Sequence, residues 1–363
     1  MAQNEYIPLE LYHLIVKTIS DWNTLLSLLL TSRHLSTEAE HILYHNVEWD
    51  DDDSKSSDSD VVSQTLFLQT VIDCQRVTQL VWECHFVSHH LLIVDDDPYW
   101  TLFPMALCAL VNLKELEFRN YGQAPLAHVL RGCTFQLVSL YWDCCHEENE
   151  LSVFLAGQEV LEQLCVDYWR GKCAGPPAPT LQNLSFLAGT SGTIQAFLPG
   201  RTITRLRWCP YFGDQVPDVA SISSALHNLH VLALDGHYAH FSFSIIVDCL
   251  PNLRFLELVG HWDTDFLYIH QLPHLEGLII SMSIPPELEQ RQDLVIRLYS
   301  ETKSLLFINI YVVNSFNILS GYQCWYCDST EPVQITPTRL NGAWVDSLGD
   351  FISNVDHGSL LVG

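Results

Sequence analysis

A six-residue apolar pattern recurs along most of this chain, with apolar residues at its first, fourth and sixth positions. Leu253–Leu258 is representative, and from Leu113 to Leu275 successive copies begin 20 to 26 residues apart. Any buried strand can match one hexamer, but a long series at near-constant spacing indicates a repeat architecture. The copies are Val77–Trp82, Leu113–Phe118, Leu137–Trp142, Leu161–Val166, Leu181–Phe186, Ile203–Trp208, Leu229–Leu234, Leu253–Leu258, Leu275–Ile280 and Leu305–Ile310.

Each copy predicts a β-strand with one buried side. Because alternate side chains of a strand face opposite ways, Leu256 and Leu258 are expected to point into a shared core, and Phe255 and Glu257 outward. Apolar residues before the hexamers, such as Phe103, Leu107 and Leu110, have helical spacing. The chain is therefore predicted to repeat helix, turn and strand, and stacking of repeats buries apolar edges that a single repeat leaves exposed.

This spacing and pattern are the sequence signature of leucine-rich repeats. The predicted fold class is an α/β solenoid, a horseshoe with a curved parallel sheet, over residues 61–312. Residues 313–363 are predicted to form a C-terminal cap and tail. Within the cap, the strand composition of 321–328 and of Val333–Ile335 predicts pairing across a turn.

The first 48 residues are predicted to form a small helical unit. Leu11, Leu14 and Ile15 fall at helical spacing, the apolar run Leu25–Leu30 predicts a second helix, and the capping-box pattern Thr37–Glu40 predicts the start of a third. One interpretation is an ordinary end cap, which a solenoid needs. The acidic, serine-rich stretch that follows, 49–60, is predicted to be a solvated linker.

A second interpretation of this unit depends on Ile7–Leu11, Ile15, the predicted helix Leu25–Leu30, Ser32, Arg33 and the closing segment Ile42–Glu48. With these residues, the segment 7–48 resembles an F-box, in the version found in many fungal proteins. Two positions depart from the family pattern: Ile7 replaces the usual leucine before proline, and Leu35 stands where many members have tryptophan.

The resemblance implies a substrate-recognition subunit of an SCF-type (cullin-RING) ubiquitin ligase in the cytoplasm or nucleus. The F-box would dock on a Skp-type adaptor, and the repeats would hold a protein substrate. Because ubiquitin transfer would then occur elsewhere in the assembly, the chain is predicted not to be an enzyme. The alternative is a leucine-rich-repeat scaffold without a ligase. The implied adaptor contacts are Ile7, Pro8, Leu9, Leu11, Ile15, Leu25, Leu28 and Leu29.

The substrate is predicted to bind the concave face of the sheet and one aromatic-rich edge. Arg205 and Arg207 project from one strand to the same side, and they would either clamp an acidic segment or neutralise acids on neighbouring strands. The edge aromatics would either anchor a partner or pack as a ladder between loops. The predicted substrate contacts are Tyr141, Arg205, Arg207, Phe255 and Glu257 on the face, and Tyr121, Trp169, Tyr211, Tyr238 and Trp262 along the edge.

Composition narrows the function classes further. The formal net charge of -26 argues against nucleic acid as the main partner. No signal peptide is recognisable at the first residues, and no apolar run is long enough to cross a bilayer.

The 12 cysteines are scattered, and Cys324-x-x-Cys327 lacks the second half of a zinc site, so structural thiols in a reducing compartment are predicted. No metal and no cofactor are expected, since phosphate-loop, dinucleotide-binding and metalloprotease motifs are missing.

Overall fold

A computed structural model of the protein separates the chain into two compact units, Met1–Leu161 and Glu162–Gly363. The described residues are 9–19, 21–31, 33–49, 57–88, 98–120, 126–144, 149–166, 175–177, 180–211, 214, 218–236, 241–260, 264–281, 288–313, 319–327 and 332–335.

Unit 1 begins with helices and continues with helix–strand repeats. Its strands β1 to β4 pair in chain order, each parallel to the next. Its elements are α1 (Leu9–Lys17), α2 (Trp22–Leu29), α3 (Arg33–His45), β1 (Asn46–Glu48), α4 (Ser57–Asp73), α5 (Gln75–Thr78), β2 (Glu83–Ser88), α6 (Pro98–Ala109), β3 (Glu115–Asn120), a 3-10 helix (Ala127–Leu130), β4 (Ser139–Cys144) and α7 (Asn149–Ala156).

Unit 2 continues the same alternation. Its strands β5 to β11 pair in parallel and in chain order, and β12 and β13 then add antiparallel strands at the end. Its elements are β5 (Gln163–Val166), β6 (Phe186–Gly189), α8 (Ser191–Phe197), β7 (Arg205–Trp208), α9 (Val219–Leu226), β8 (Val231–Asp235), 3-10 helices (Phe243–Ile245 and Val247–Cys249), β9 (Phe255–Val259), a 3-10 helix (Asp265–Gln271), β10 (Gly277–Ser281), α10 (Leu288–Glu301), β11 (Phe307–Val313), β12 (Leu319–Tyr326) and β13 (Val333–Ile335).

Rows of aligned apolar side chains form the core. Leu256 on β9 lies between Leu232 on β8 and Leu278 on β10, and all three are buried. Each strand thereby covers the apolar edge of its neighbour, as stacked repeats require. Parallel strands in chain order with helical connections confirm the solenoid-like repeat fold. The predicted pairing of the cap strands is also confirmed, because Tyr322 on β12 pairs with Ile335 on β13.

The predicted register of the first repeat is wrong. Cys84 on β2 pairs with Leu116 on β3, so the hexamer equivalent to Leu113–Phe118 is Val81–Phe86 rather than Val77–Trp82. A buried cysteine takes the leucine position of this repeat, and a pattern based on leucine therefore selects the wrong residues.

The register predicted for Leu181–Phe186 is wrong as well. Leu187 pairs with Leu164, so this repeat runs from Leu184 to Gly189. Leucines three residues apart fit either register. The deciding position is Gly189, where a Cβ atom would approach the Val166 carbonyl oxygen to 2.2 Å, which leaves room only for glycine.

Two local predictions near the N-terminus also need correction. The third helix begins at Arg33 rather than at Thr37. Thr37 lies inside the helix, and its hydroxyl donates to the Arg33 carbonyl at 2.9 Å instead of capping an end. The predicted linker 49–60 overlaps α4, which begins at Ser57.

Some return segments of unit 2 are tighter than the α-helices expected from their spacing. Ile245, Ile246 and Cys249 lie in or between short 3-10 helices. Within the described parts of the chain, no helix is both long enough and apolar enough to span a bilayer.

Leu256→Ala tests the core row. The side chain is 1% exposed, so its truncation should lower the free energy of unfolding by about 2–5 kcal/mol through lost burial and a cavity. Leu267→Ala is the matched control, since Leu267 is 49% exposed and should change stability by no more than about 0.5 kcal/mol. Denaturant unfolding of both variants measures the difference. Equal losses would contradict the register of β9.

Candidate functional site

An apolar surface lies on the first helix of unit 1. Leu11, Leu14 and Ile15 of α1 follow i, i+3, i+4 spacing on one face, and their exposures are 45%, 57% and 52%. Leu26 on α2 and Leu30, directly after that helix, are also exposed. Large apolar side chains grouped on one helix face are typical of an interaction site. We call Leu11, Leu14 and Ile15 the α1 surface.

Beneath this surface the helices have a core of their own. Val16, Leu25, Ala39 and Leu43 are buried together and join α1, α2 and α3. The prediction that Leu25 contacts an adaptor is therefore wrong, because its side chain is 3% exposed. Leu28 and Leu29 are half-buried against the same core. Ile7 and Pro8 lie outside the described residues, as does the side chain of Leu9.

Polar contacts hold these helices in place. His13 Nδ1 lies 2.6 Å from Glu38 Oε2, which joins α1 to α3. Glu40 of α3 pairs with Arg76 of α5, with Nη2 2.7 Å from Oε1. Asp21 caps α2 by accepting from the Thr24 side chain and backbone N–H, and these hydrogen bonds lower the pKa of Asp21.

The outward face of the unit 1 sheet is rich in acids. The register aligns Glu83 with Glu115, and His85 with Glu117 and Tyr141. Sequence reasoning missed Glu83 and His85 because of the wrong register of the first repeat. With Val81 as its first position, the same alternation would have placed both residues beside the glutamates of β3.

The charges of this face are partly paired. His85 Nδ1 lies 2.9 Å from Glu117 Oε2, and this hydrogen bond raises the pKa of His85. Burial alone would raise the pKa of Glu117, but the contacts with His85 and Arg119 outweigh it and lower that pKa. The Arg119 guanidinium also lies over the Tyr141 ring, 5.0 Å from its centroid. Tyr141, a predicted substrate contact, is half-buried in this cluster.

The corresponding face of unit 2 carries a cluster of buried apolar side chains. One row across the strands runs through Phe186, Arg205, Val231, Phe255, Gly277 and Phe307. The expectation that Phe255 is available to a substrate is wrong, since the ring is 5% exposed. It packs 6.3 Å from the Phe307 ring across Gly277, where a Cβ atom would lie 2.7 Å from Phe255 Cδ1.

The two predicted arginines lie in neighbouring rows of this face. The Arg205 guanidinium lies 5.3 Å from the centroid of the Phe186 ring, a cation–π contact. Arg207 is separated from Glu257 only by Ala233 on the intervening strand. The charge of Arg207 acts to lower the pKa of Glu257, which favours the neutralising role for this arginine.

Glu257 is not the freely exposed residue that its position predicted. It is half-buried, and burial, together with the negative charge of Asp235, raises its pKa to about 7 despite Arg207. A carboxyl group with this pKa changes charge near neutral pH, so the charge balance of this face depends on pH.

Of the five aromatic residues predicted along the edge, only Tyr211 is among the described residues. Tyr211 is half-buried, and its backbone N–H donates to Asp214 Oδ2 at 3.0 Å. Tyr121, Trp169, Tyr238 and Trp262 lie outside the described residues.

In the part of the chain that the structure describes, no group of three or more His, Cys, Asp or Glu residues could hold a metal ion. Cys324 is buried and Cys327 is exposed, so the two thiols of the C-x-x-C pattern have different surroundings.

Comparisons with known proteins leave the family open. No protein-family model matches the chain, and no curated protein matches it. Among solved structures, a microbiome-derived acarbose kinase, Mak1, is similar with a TM-score of 0.29 and 14% identity over 57% of this chain and 72% of the kinase. An internalin (inlF) from Listeria monocytogenes is similar with a TM-score of 0.28 and 16% identity over 62% of this chain. The chain spans 57% of that internalin.

Because one of these two similar structures is a kinase, we withdraw the prediction that the chain is not an enzyme. At these TM-scores neither likeness carries an argument about activity or partners.

Glu257→Gln tests the electrostatics of the unit 2 face. Because the folded pKa is about 7 and the ordinary value 4.5, the stabilising contribution of the protonated carboxyl is complete below pH 4.5 and is lost as pH rises through 7. The variant should match the wild type near pH 4.5 and exceed its free energy of unfolding by on the order of 1–3 kcal/mol near pH 8. Denaturant unfolding across this range measures both proteins. Parallel pH profiles would contradict the raised pKa.

Proposed function

We propose that this chain is the substrate-recognition subunit of an SCF-type (cullin-RING) ubiquitin ligase. In this proposal an F-box within residues 1–48 docks on a Skp-type adaptor, and leucine-rich repeats bind a protein substrate in the cytoplasm or nucleus. The α1 surface is the observation that carries it. Leu11, Leu14 and Ile15 are exposed although burying them would stabilise an isolated chain, and a partner that covers them would recover this free energy.

The way the helices are held supports the same proposal. Val16 and Leu43 pack in a separate core, and the pairing of His13 with Glu38 fixes α1 on α3. The α1 surface is therefore formed before a partner arrives. A preformed surface binds with less loss of conformational entropy than one that orders on binding.

In this proposal the substrate would bind the outward sheet faces of the two units, which differ in charge. In unit 1 the outward face combines Glu83, Glu115 and Glu117 with Arg119, and in unit 2 it carries Arg205 over the Phe186 ring and Arg207 in the neighbouring row. Mixed charges and rings suit a protein ligand better than a small metabolite.

One observation favours a second candidate, a leucine-rich-repeat binding module that has no ligase partner. The α3 helix leads directly into β1, and β1 pairs with β2 through Val47 and Cys84. The N-terminal segment therefore supplies the strand that covers the edge of β2, and this role as an end cap needs no adaptor.

The double variant Leu11→Asp, Ile15→Asp separates the two candidates. We expect it to abolish co-purification with a Skp-type adaptor, because two charges would have to be buried in the contact. The matched control is Val62→Asp, Leu66→Asp, since these residues are also apolar, exposed and four apart on a helix, α4.

The control should retain the adaptor, and circular dichroism should show both variants folded. If the wild type binds no adaptor, or if the α1 variant binds it unchanged, the ligase proposal fails and the binding module stands.

Arg205→Glu, Arg207→Glu tests the substrate side in cells. We expect proximity labelling with this variant to lose proteins that the wild type captures, while the adaptor remains bound, because charge reversal repels an acidic segment. Arg297→Glu, Lys303→Glu serves as the charge-reversal control, since these two residues of unit 2 lie on and just after α10 rather than on the strands of this face. An unchanged set of labelled proteins would contradict a role of the arginines in capture.

A further inference from the structure

We propose that Cys108 and Cys133 form a redox modification site in unit 1, at which a peroxide converts two thiols into a disulfide. The Sγ atoms lie 3.7 Å apart. A disulfide requires a separation of about 2 Å, so small side-chain rotations bring the sulfurs into bonding distance. The bond would link α6 to the turn that follows the 3-10 helix Ala127–Leu130.

The local backbone brings the two cysteines together. Gly132, directly before Cys133, has a φ of +85°, which glycine adopts without the strain that a side chain would cause. The turn lies against α6, because a Cβ atom at Gly132 would be 3.7 Å from Cys108 Sγ. The Cys108 thiol also donates to the Arg131 carbonyl at 3.5 Å. These contacts orient Cys108 towards the turn that carries Cys133.

A cavity beside Cys133 gives a small oxidant access to this thiol. It has a volume of about 470 Å³ and is lined by Cys133, Gly132, Phe154 and the ion pair Arg131–Glu150, among others. The side chain of Arg131 is 75% exposed, so the cavity reaches the surface. Hydrogen peroxide is close to water in size, and one water occupies only about 30 Å³ of the liquid.

The chemistry balances without any further reactant. The sulfur of one cysteine attacks one peroxide oxygen, an S–O bond forms, the O–O bond breaks, and the departing hydroxide leaves as water with the thiol proton. The sulfur of the other cysteine then attacks the sulfenic sulfur, an S–S bond forms, the S–O bond breaks, and a second water carries away the proton of this second thiol. Both thiols are oxidised by one electron each, and one peroxide is reduced to two waters.

The same disulfide forms whichever of the two thiols is oxidised first, because each sulfur lies beside the other. This site lies outside the α1 surface and both outward sheet faces, and it does not depend on the ligase proposal.

The experiment uses the purified full-length chain, titrated with hydrogen peroxide, blocked with a thiol-alkylating reagent and digested without reduction. We expect mass spectrometry to find the Cys108–Cys133 linked peptide at lower peroxide than any other oxidised cysteine, and dithiothreitol to reverse the link. With Cys133→Ser, the sulfenic acid should persist at Cys108 and react with dimedone. Cys74→Ser, which removes another half-buried thiol of unit 1, should leave the link intact.

Several results would overturn the proposal. One is oxidation of the wild type that leaves both residues as free thiols while other cysteines react. A second is over-oxidation of Cys108 without a link to Cys133. A third is a disulfide that joins either residue to a different cysteine. Because mapping of the wild type alone decides these outcomes, a poorly folded variant does not prevent the test.

Discussion

The fold depends on the burial of apolar rows that run across consecutive strands. Leu232, Leu256 and Leu278 each occupy the same position on successive strands, and none is covered without its neighbours. The sheet hydrogen bonds can then form in one register only, because a shift by one residue would expose every leucine of a strand. Burial on one side of the sheet thus aligns the side chains on the other side in rows as well.

These outward rows have different chemistry in the two units. In unit 1 the alignment brings glutamates beside His85 and Arg119, so their charges are partly paired. In unit 2 it places phenylalanines in contact over Gly277 and leaves Glu257 half-buried near Arg207. The acidic composition of the whole chain therefore does not describe either surface, since local pairing and burial set the charge that a partner would meet.

The N-terminal helices combine two roles that need different faces. Val16 faces the helical core, while Leu11 and Ile15, on the same helix, face away from it. The segment also continues into β1, which pairs with β2 and thereby covers the edge of that strand. One short segment can therefore stabilise the repeats and still present an apolar surface, because an amphipathic helix separates its contacts by side.

The sequence by itself determined the repeat and most of its strands. Spacings such as Leu253, Leu256 and Leu258 encode burial locally. Helical spacing likewise put Leu11 and Ile15 on one helix, whereas their role as contacts was implied only by the resemblance to an F-box. Spacing failed where another residue takes the leucine position, as Cys84 does, because a pattern of leucines contains no information about the neighbouring strand.

The tertiary structure alone decided the burial of Phe255 and Leu25, the raised pKa of Glu257 and the approach of Cys108 to Cys133. Each depends on side chains from other strands or helices, which local spacing does not specify. A side chain's direction follows from its own strand, whereas its burial and charge depend on what the rest of the chain places around it.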